Sequence, residues 1–254
     1  MTRKVKPKKH LGQHFLRNED VALRIVDALK TEPDELIIEV GPGDGVLSKH
    51  LLERHKNIIL LDVDLESIDH LKDEFPFHRD KIIFQDFLAF PVEKPSVVIG
   101  NFPYNISSQI VFKIIDDRQR VRSMVGMFQK EVAERIASGP GSKVYGISSV
   151  LTQAYYDVDY LFTVEAREFD PPPKVQSGVI RLTRKGVDLD CDEKAFKSIV
   201  KRSFNQRRKM LRKSLKDLIT EEIASKIEEY LTQRPEQLSV ADFVRLVNVL
   251  TPPK

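Results

Sequence analysis

The sequence predicts an α/β protein, with a doubly wound, mostly parallel sheet followed by a small all-α domain. Three observations carry this expectation. From residue 36 onward, short apolar runs alternate with amphipathic stretches. A glycine-rich turn closes the first of those runs, and strand-type runs cease after residue 192.

Taken in order, residues 36–40 read as a strand that ends in Gly41-Pro42-Gly43-Asp44-Gly45. A helical pattern follows, with Val46, Leu47, Leu51 and Leu52 as its apolar positions. Residues 58–62 form the second strand, 65–75 a helix, and 82–85 the third strand. A fourth strand over 97–100 leads into a helix over 107–115, and a fifth over 124–128 into a helix over 130–137. Strands alternating with helices imply right-handed crossovers and parallel pairing. Two late runs, 160–164 and 179–183, flank Pro171-Pro172-Pro173 and read as an antiparallel edge of the same sheet. Beyond Asp192 the signals are helical, with Ser239 as a cap. The expected domains are therefore 1–185 and 186–254.

At 254 residues, 41% hydrophobic and 31% charged, the chain can bury a core and is not a candidate for wholesale disorder. No apolar run approaches the ~20 residues of a membrane-spanning helix, and no secretory signal follows the basic N-terminus. Cys191 is the only cysteine, which excludes an internal disulfide or a cysteine zinc site and fits a reducing cytoplasm. The expectation is a cytoplasmic protein without a metal, acting as a monomer. Its net charge of +3 hides a segregation. Six basic side chains and no acid lie in residues 1–17 (Arg3, Lys4, Lys6, Lys8, Lys9, Arg17). Eight more lie in residues 201–216, again with no acid (Lys201, Arg202, Arg207, Arg208, Lys209, Arg212, Lys213, Lys216). Those runs hold +14 and leave −11 for the rest, a separation suited to a polyanionic partner. A helical pattern over 201–216 would place Lys201, Arg208 and Arg212 on one face, and Asn205, Lys209 and Lys216 on another.

The Glu39–Gly45 turn lies between the first strand and its helix, where glycines let the backbone turn sharply and a ligand approach it closely. A dinucleotide fingerprint would need glycine at position 46, where this chain has Val46. Asp62 ends the second strand, placed for a carboxylate that accepts ribose hydroxyls. Asp64 reads as a helix cap, and Asp86 ends the third strand, placed for an adenine amine. This series points to a nucleotide-type cofactor. Asn101-Phe102-Pro103-Tyr104 follows the fourth strand. The lone pair of an adenine N6 amine is delocalised into its ring. An Asn oxygen and a backbone carbonyl that accept its two hydrogens localise the pair for attack. Pro103 stiffens the turn, and Tyr104 offers a stacking face to a base taken out of its helix.

The chain resembles the KsgA-type small-subunit ribosomal RNA adenine dimethyltransferases over nearly its whole length. The matching motifs are Gly12-Gln13-His14-Phe15-Leu16, the Glu39–Gly45 turn, Gly100 through Tyr104 and Gln129-Lys130-Glu131-Val132. Phe169 with Pro171-Pro172-Pro173-Lys174-Val175, and Phe204-Asn205-Gln206-Arg207-Arg208-Lys209, complete the set. The resemblance implies a Rossmann-like methyltransferase sheet and S-adenosylmethionine as cofactor. It also implies dimethylation of two adjacent adenosines in a hairpin near the 3′ end of small-subunit rRNA, in the assembling 30S particle, with the helical domain on RNA. By the same resemblance, His14 and Leu16 line the methionine side, Gly41 and Gly43 approach the cofactor, Asp62 holds its ribose, Asp86 its adenine, and Asn101 the reacting region. Tyr104 and Phe169 would sandwich the target adenine, with a core role for Phe169 as the alternative. The chain departs from the family at His14, where relatives usually carry Asn, at Asp62, where many carry Glu, and at Phe102, which replaces a commoner Leu. The rivals are the related large-subunit rRNA adenine methyltransferases and a ribosome-assembly module without catalysis. The basic tail speaks against the first and the intact Asn101–Tyr104 against the second.

Overall fold

The computed structural model of the chain describes residues 5–251, so Arg3 and Lys4 of the basic N-terminal run lie outside the described residues. It divides into two compact units. The first comprises the chain up to Ala133 together with Val158–Arg184, and the second Glu134–Asp157 with the chain from Lys185 onward.

In chain order the strands and helices are β1 (Phe15–Leu16), α1 (Glu19–Asp27), β2 (Leu36–Val40), α2 (Ser48–Arg54), β3 (Ile58–Asp62) and α3 (Leu65–Glu74). Then come β4 (Ile82–Phe84), β5 (Ser96–Asn101), α4 (Ser107–Asp116), β6 (Val121–Gln129), α5 (Lys130–Ala137) and α6 (Ile147–Tyr155). They are followed by β7 (Tyr156–Val164), β8 (Phe169–Asp170), β9 (Ser177–Arg184), α7 (Glu193–Asn205), α8 (Leu211–Ser214), α9 (Glu221–Lys226), α10 (Glu228–Leu231) and α11 (Val240–Leu250).

Seven strands form one sheet in the order β4-β3-β2-β5-β6-β9-β7. The pairs from β4 through β6 are parallel, and β9 runs antiparallel to β6. The chain winds outward from β2 through β3 to β4, then restarts at β5 on the other side of β2. Strand order therefore reverses between β2 and β5, and a crevice opens at the carboxyl ends of those strands. The mostly parallel doubly wound sheet, with its antiparallel member, is the fold class that the alternating runs predicted. A second, two-stranded sheet pairs β1 antiparallel with β8 and sets Leu16 opposite Phe169.

Burial explains the sheet. Ile37, Leu60, Val97, Ile99 and Val125 from the central strands share one apolar cluster with Ile25 of α1, Leu51 of α2 and Leu71 of α3. Strands buried on both faces read as continuous apolar runs rather than as alternation, which is why these were visible in the sequence. Asp64 caps α3 by accepting from Glu66 N at 3.0 Å, as its position after the second strand suggested.

In the second unit, α7 and α11 bury Phe196, Ile199, Val200, Phe243, Leu246 and Val247. Phe204 joins them, with its ring 6.2 Å from that of Tyr145 and 6.1 Å from that of Phe243. A reciprocal capping box starts α11, in which Ser239 Oγ accepts from Asp242 N and Asp242 accepts from Ser239 N.

Two expectations need correction. A single cut at 185 overlooks residues 134–157, which pack with the helical unit. Helix α6 buries Ser149 and Thr152 beside Val150, Leu151, Ala154 and Tyr155, so polar residues that read as a solvated stretch lie inside instead. Nor is 201–216 one helix. α7 ends at Asn205, residues 206–210 turn, and α8 starts at Leu211, so the basic side chains do not form the expected shared faces.

Candidate active site

A cleft opens where the strand order reverses. Three segments wall it: Leu11–Leu16, the ends of β2 and β3 and the loops after them with Asp86 and Leu88 after β4, and Asn101–Pro103 with Asn105 and Ile106 at and after the end of β5. All three lie in the first unit.

The β2 loop makes its turn with Gly41, Gly43 and Gly45 at φ of +67°, +60° and +90°, a region that costs other residues but not glycine. At Gly43 a Cβ would stand 2.8 Å from the Phe15 ring, so the N-terminal segment packs directly on this turn. Asp62 closes β3 with its side chain almost fully buried, accepting from Gly43 N at 3.2 Å and Asp64 N at 2.9 Å. Burial raises its pKa, and these backbone N–H groups partly offset that effect. One lone pair of each oxygen is thus engaged in shaping the turn. Asp86 is exposed on the cleft and accepts from Leu88 N at 2.8 Å, so it is both a local cap and a wall residue.

The β5 turn is built on paired glycines. Gly100 and Gly126 stand opposite one another on β5 and β6. A Cβ at either would come within 2.8 Å of a Phe102 ring atom, so the two form a trough for that ring. Phe102 is fully buried there, 5.1 Å from Phe128 between centroids, and its N–H donates to Met127 O at 3.2 Å. Anchoring Phe102 fixes its neighbours. Asn101 donates Nδ2 to His14 O at 2.9 Å, and Tyr104 OH lies 2.6 Å from Ser177 Oγ. The Pro103 carbonyl accepts from Ile106 N and Ser107 Oγ, each at 3.2 Å.

His14 bridges these parts. Its Nδ1 donates to Pro171 O at 2.8 Å, and its ring stacks on Tyr104 with centroids 5.5 Å apart and planes at 28°. Lys8 and Gln13 hold the same segment down by bonding Asp64, while Arg17 pairs with Asp44 and Asp170. Burial alone would raise the Asp64 carboxyl, but the bonds from Lys8 and Gln13 hold it below the usual carboxylate range. Lys8 and Arg17 are therefore structural, which removes two members from the expected polyanion-binding run.

The expected residues His14, Leu16, Gly41, Gly43, Asp62, Asp86, Asn101 and Pro103 all line the cleft. Tyr104 sits beside it, half buried. Phe169 is different. It is 3% exposed, belongs to the apolar core and does not line the cleft, so the core role stands and its assignment to the base sandwich is withdrawn. Among the wall residues that received no role from the sequence, one is acidic and buried. Glu39 is buried near the carboxyl end of β2, between Leu60 and Ile99, and it lines the cleft. A lone acid in an apolar strand run was the available signal.

The family model of ribosomal RNA adenine dimethylases matches residues 4–252. The chain belongs to the ribosomal RNA adenine dimethylase family. Within that family, ribosomal RNA small subunit methyltransferase A of Parabacteroides distasonis is 51% identical over 249 residues, spanning 96% of this chain and 94% of its own. The protein of the same name from Flavobacterium johnsoniae is 50% identical, over 96% of this chain and 95% of its own. Among solved structures, a dimethyladenosine transferase from Plasmodium falciparum superposes with a TM-score of 0.82 at 25% identity, covering 92% of this chain and 96% of its own. The 23S rRNA methyltransferase ErmE shares the dimethylase fold, with a TM-score of 0.71 at 24% identity over 93% of this chain and 99% of its own.

Proposed function

We propose that the chain uses S-adenosylmethionine to dimethylate the N6 amines of two adjacent adenosines in the hairpin near the 3′ end of small-subunit rRNA, acting as a cytoplasmic monomer on the assembling 30S particle. The single observation that carries the reading is the Asn101–Tyr104 turn, locked by the Gly100–Gly126 trough and opening on a cleft walled by Asp62 and Asp86.

The cleft fits the cofactor on its own chemistry. Gly41 leaves open space, with the nearest non-neighbouring side chain 3.8 Å from a Cβ position, so a ligand can reach its backbone. Asp62 retains acceptor capacity for a ribose and Asp86 for an adenine amine. Four carboxylates and no lysine or arginine line the cleft, which suits a cation. When bound, the cofactor supplies a methyl group on a sulfonium, ready for displacement.

The protein's part is to localise and align the attacking lone pair. Because Asn101 Nδ2 is held by His14 O, its Oδ1 is free to accept one N6 hydrogen. The Phe102 carbonyl is the acceptor for the other, since the Pro103 carbonyl is already taken twice. Tyr104, fixed by Ser177, presents a face for the extruded base. Alignment and preorganised acceptors supply the acceleration, and the methylated amine sheds its proton to solvent without a dedicated base.

The experiment is transfer of labelled methyl groups to isolated small and large ribosomal subunits, with the label mapped to the nucleotide. Label on two adjacent adenosines of the small-subunit rRNA is expected. Label on large-subunit rRNA alone, or none, would overturn the reading.

A further inference from the structure

Glu39 presents an anomaly. It is 1% exposed, it lies in β2, an interior strand of the sheet, and its Oε2 has no hydrogen-bond partner among the described residues. The Ser48 hydroxyl at the start of α2 lies beside it, but it too lacks a bond of normal geometry. A buried carboxyl with an unpartnered oxygen costs stability, and Val or Ile in that core position of β2 would avoid the cost. Yet Glu39 is part of the cleft wall, so a ligand in the cleft lies against this residue.

Its surroundings define what could satisfy it. Its partners across the sheet are apolar, Leu60 on β3 and Ile99 on β5; the nearby polar groups are the acid Asp62, two residues beyond Leu60 at the end of β3, and the neutral Ser48 of α2. The rest of the cleft adds Asp44, Asp86 and His14, without a lysine or arginine. Among the described residues, no cation balances Glu39. Burial, with Asp62 adding to it, pushes its carboxyl up to about 8, so near neutrality it holds a proton. A positive ligand in the cleft would reverse that preference.

We infer that Glu39 is a latent counter-charge for the cofactor: it is neutral in the empty cleft, and it gives up its proton to solvent when the cationic S-adenosylmethionine enters. No bond is made or broken other than the O–H of Glu39, and the proton leaves as buffer acid. This rests on the cofactor reading above and adds to it a protonation step at a residue outside the expected ligand set. One consequence is that the cleft carries less negative charge when empty than when filled, which limits self-repulsion between Glu39 and the neighbouring Asp62.

The test is titration calorimetry of the full chain with S-adenosylmethionine at pH 7, in buffers of different ionisation enthalpy. The wild type should release about one proton per cofactor bound, read as buffer-dependent heat. Its affinity should rise with pH between about 6 and 7.5, by up to tenfold per unit. Glu39→Gln keeps the shape and the contact with Ser48 but has no proton to lose. Its heats should be independent of buffer and its affinity flat over the same range, with the cofactor's own ionisation common to both proteins. An infrared difference spectrum of the wild type supplies a readout that needs no variant: a protonated-carboxyl band should vanish on cofactor addition. Binding without proton release, or equal release from both proteins, would overturn the Glu39 inference and leave the cofactor reading intact. No binding at all would overturn both.

Discussion

At the scale of single residues, chemistry and stability pull on different atoms of the same cleft. Asn101 is held through its Nδ2 by His14 O, so truncation removes an acceptor for the reacting amine while the fold loses one hydrogen bond. Asn101→Ala should lower the rate of methyl transfer by roughly 10²–10³-fold, the usual loss for one transition-state partner. Affinity for the subunit should change little, and single-turnover assays beside filter binding separate the two effects. Glu39 makes the opposite prediction, about the empty protein. Its pKa is raised on folding from 4.5 to about 8, so folding favours the protonated form. The contribution is fully present below pH 4.5 and is lost as pH rises to about 8. Glu39→Gln should therefore stabilise the empty protein progressively across that window, with little effect at lower pH. Urea unfolding midpoints that move in parallel for both proteins across the range would disprove it.

At the scale of elements, the site is held by close approaches that leave no room for a methyl group. Gly100 and Gly126 lie side by side on β5 and β6 beneath the Phe102 ring, which is itself fully buried. Gly126→Ala would push its Cβ into that ring, and the backbone on either side is sheet. Overpacking of this kind costs about 1–3 kcal/mol. Chemical denaturation should show the loss, and methyl transfer should fall further than stability explains, because Asn101 and Tyr104 ride on Phe102. An alanine variant with unchanged activity would mean that the turn does not depend on the trough. The N-terminal segment shows the same economy. Lys8 and Arg17, which the sequence groups in a run suited to a polyanion, bond Asp64, Asp44 and Asp170 instead, and Gln13 between them bonds Asp64.

At the scale of the whole molecule, charge separation survives folding, although not in the arrangement that a continuous helix would impose. Arg202 bonds Ser214 O and Asp217, and Arg207 bonds Lys143 O. Lys201, Arg208, Lys209, Arg212, Lys213 and Lys216 remain exposed, their side chains unpaired among the described residues. These six, rather than the whole run of eight, are the candidates for phosphate contacts. Replacing Arg208, Lys209 and Lys213 with Glu should weaken small-subunit binding strongly and flatten its dependence on salt, through lost counterion release. Cofactor binding should persist, since every cleft residue belongs to the first unit. Filter binding at several salt concentrations reads the slope, and an unaltered slope would remove this segment from the RNA interface.

The sequence by itself determined the parallel sheet, because its strands are buried on both faces and must be continuous apolar runs wherever the chain places them. It also determined the glycine turn, the acids at successive strand ends and the Asn101–Tyr104 tetrapeptide, since each is a local requirement of backbone geometry or hydrogen bonding. Tertiary structure alone decided the rest. Helix α6 buries Ser149 and Thr152 along with its apolar side chains, and only packing against the helical unit decides that. The break after Asn205 interrupts a stretch whose composition is uniformly helical. Phe169 could have stacked on a base or filled a core, and pairing with Leu16 in the small sheet sent it to the core. Glu39 reads as an ordinary member of a motif until its neighbours are known. Only packing shows that they include Asp62 and no cation, because the desolvation and charge that perturb an acid come from residues distant in the chain.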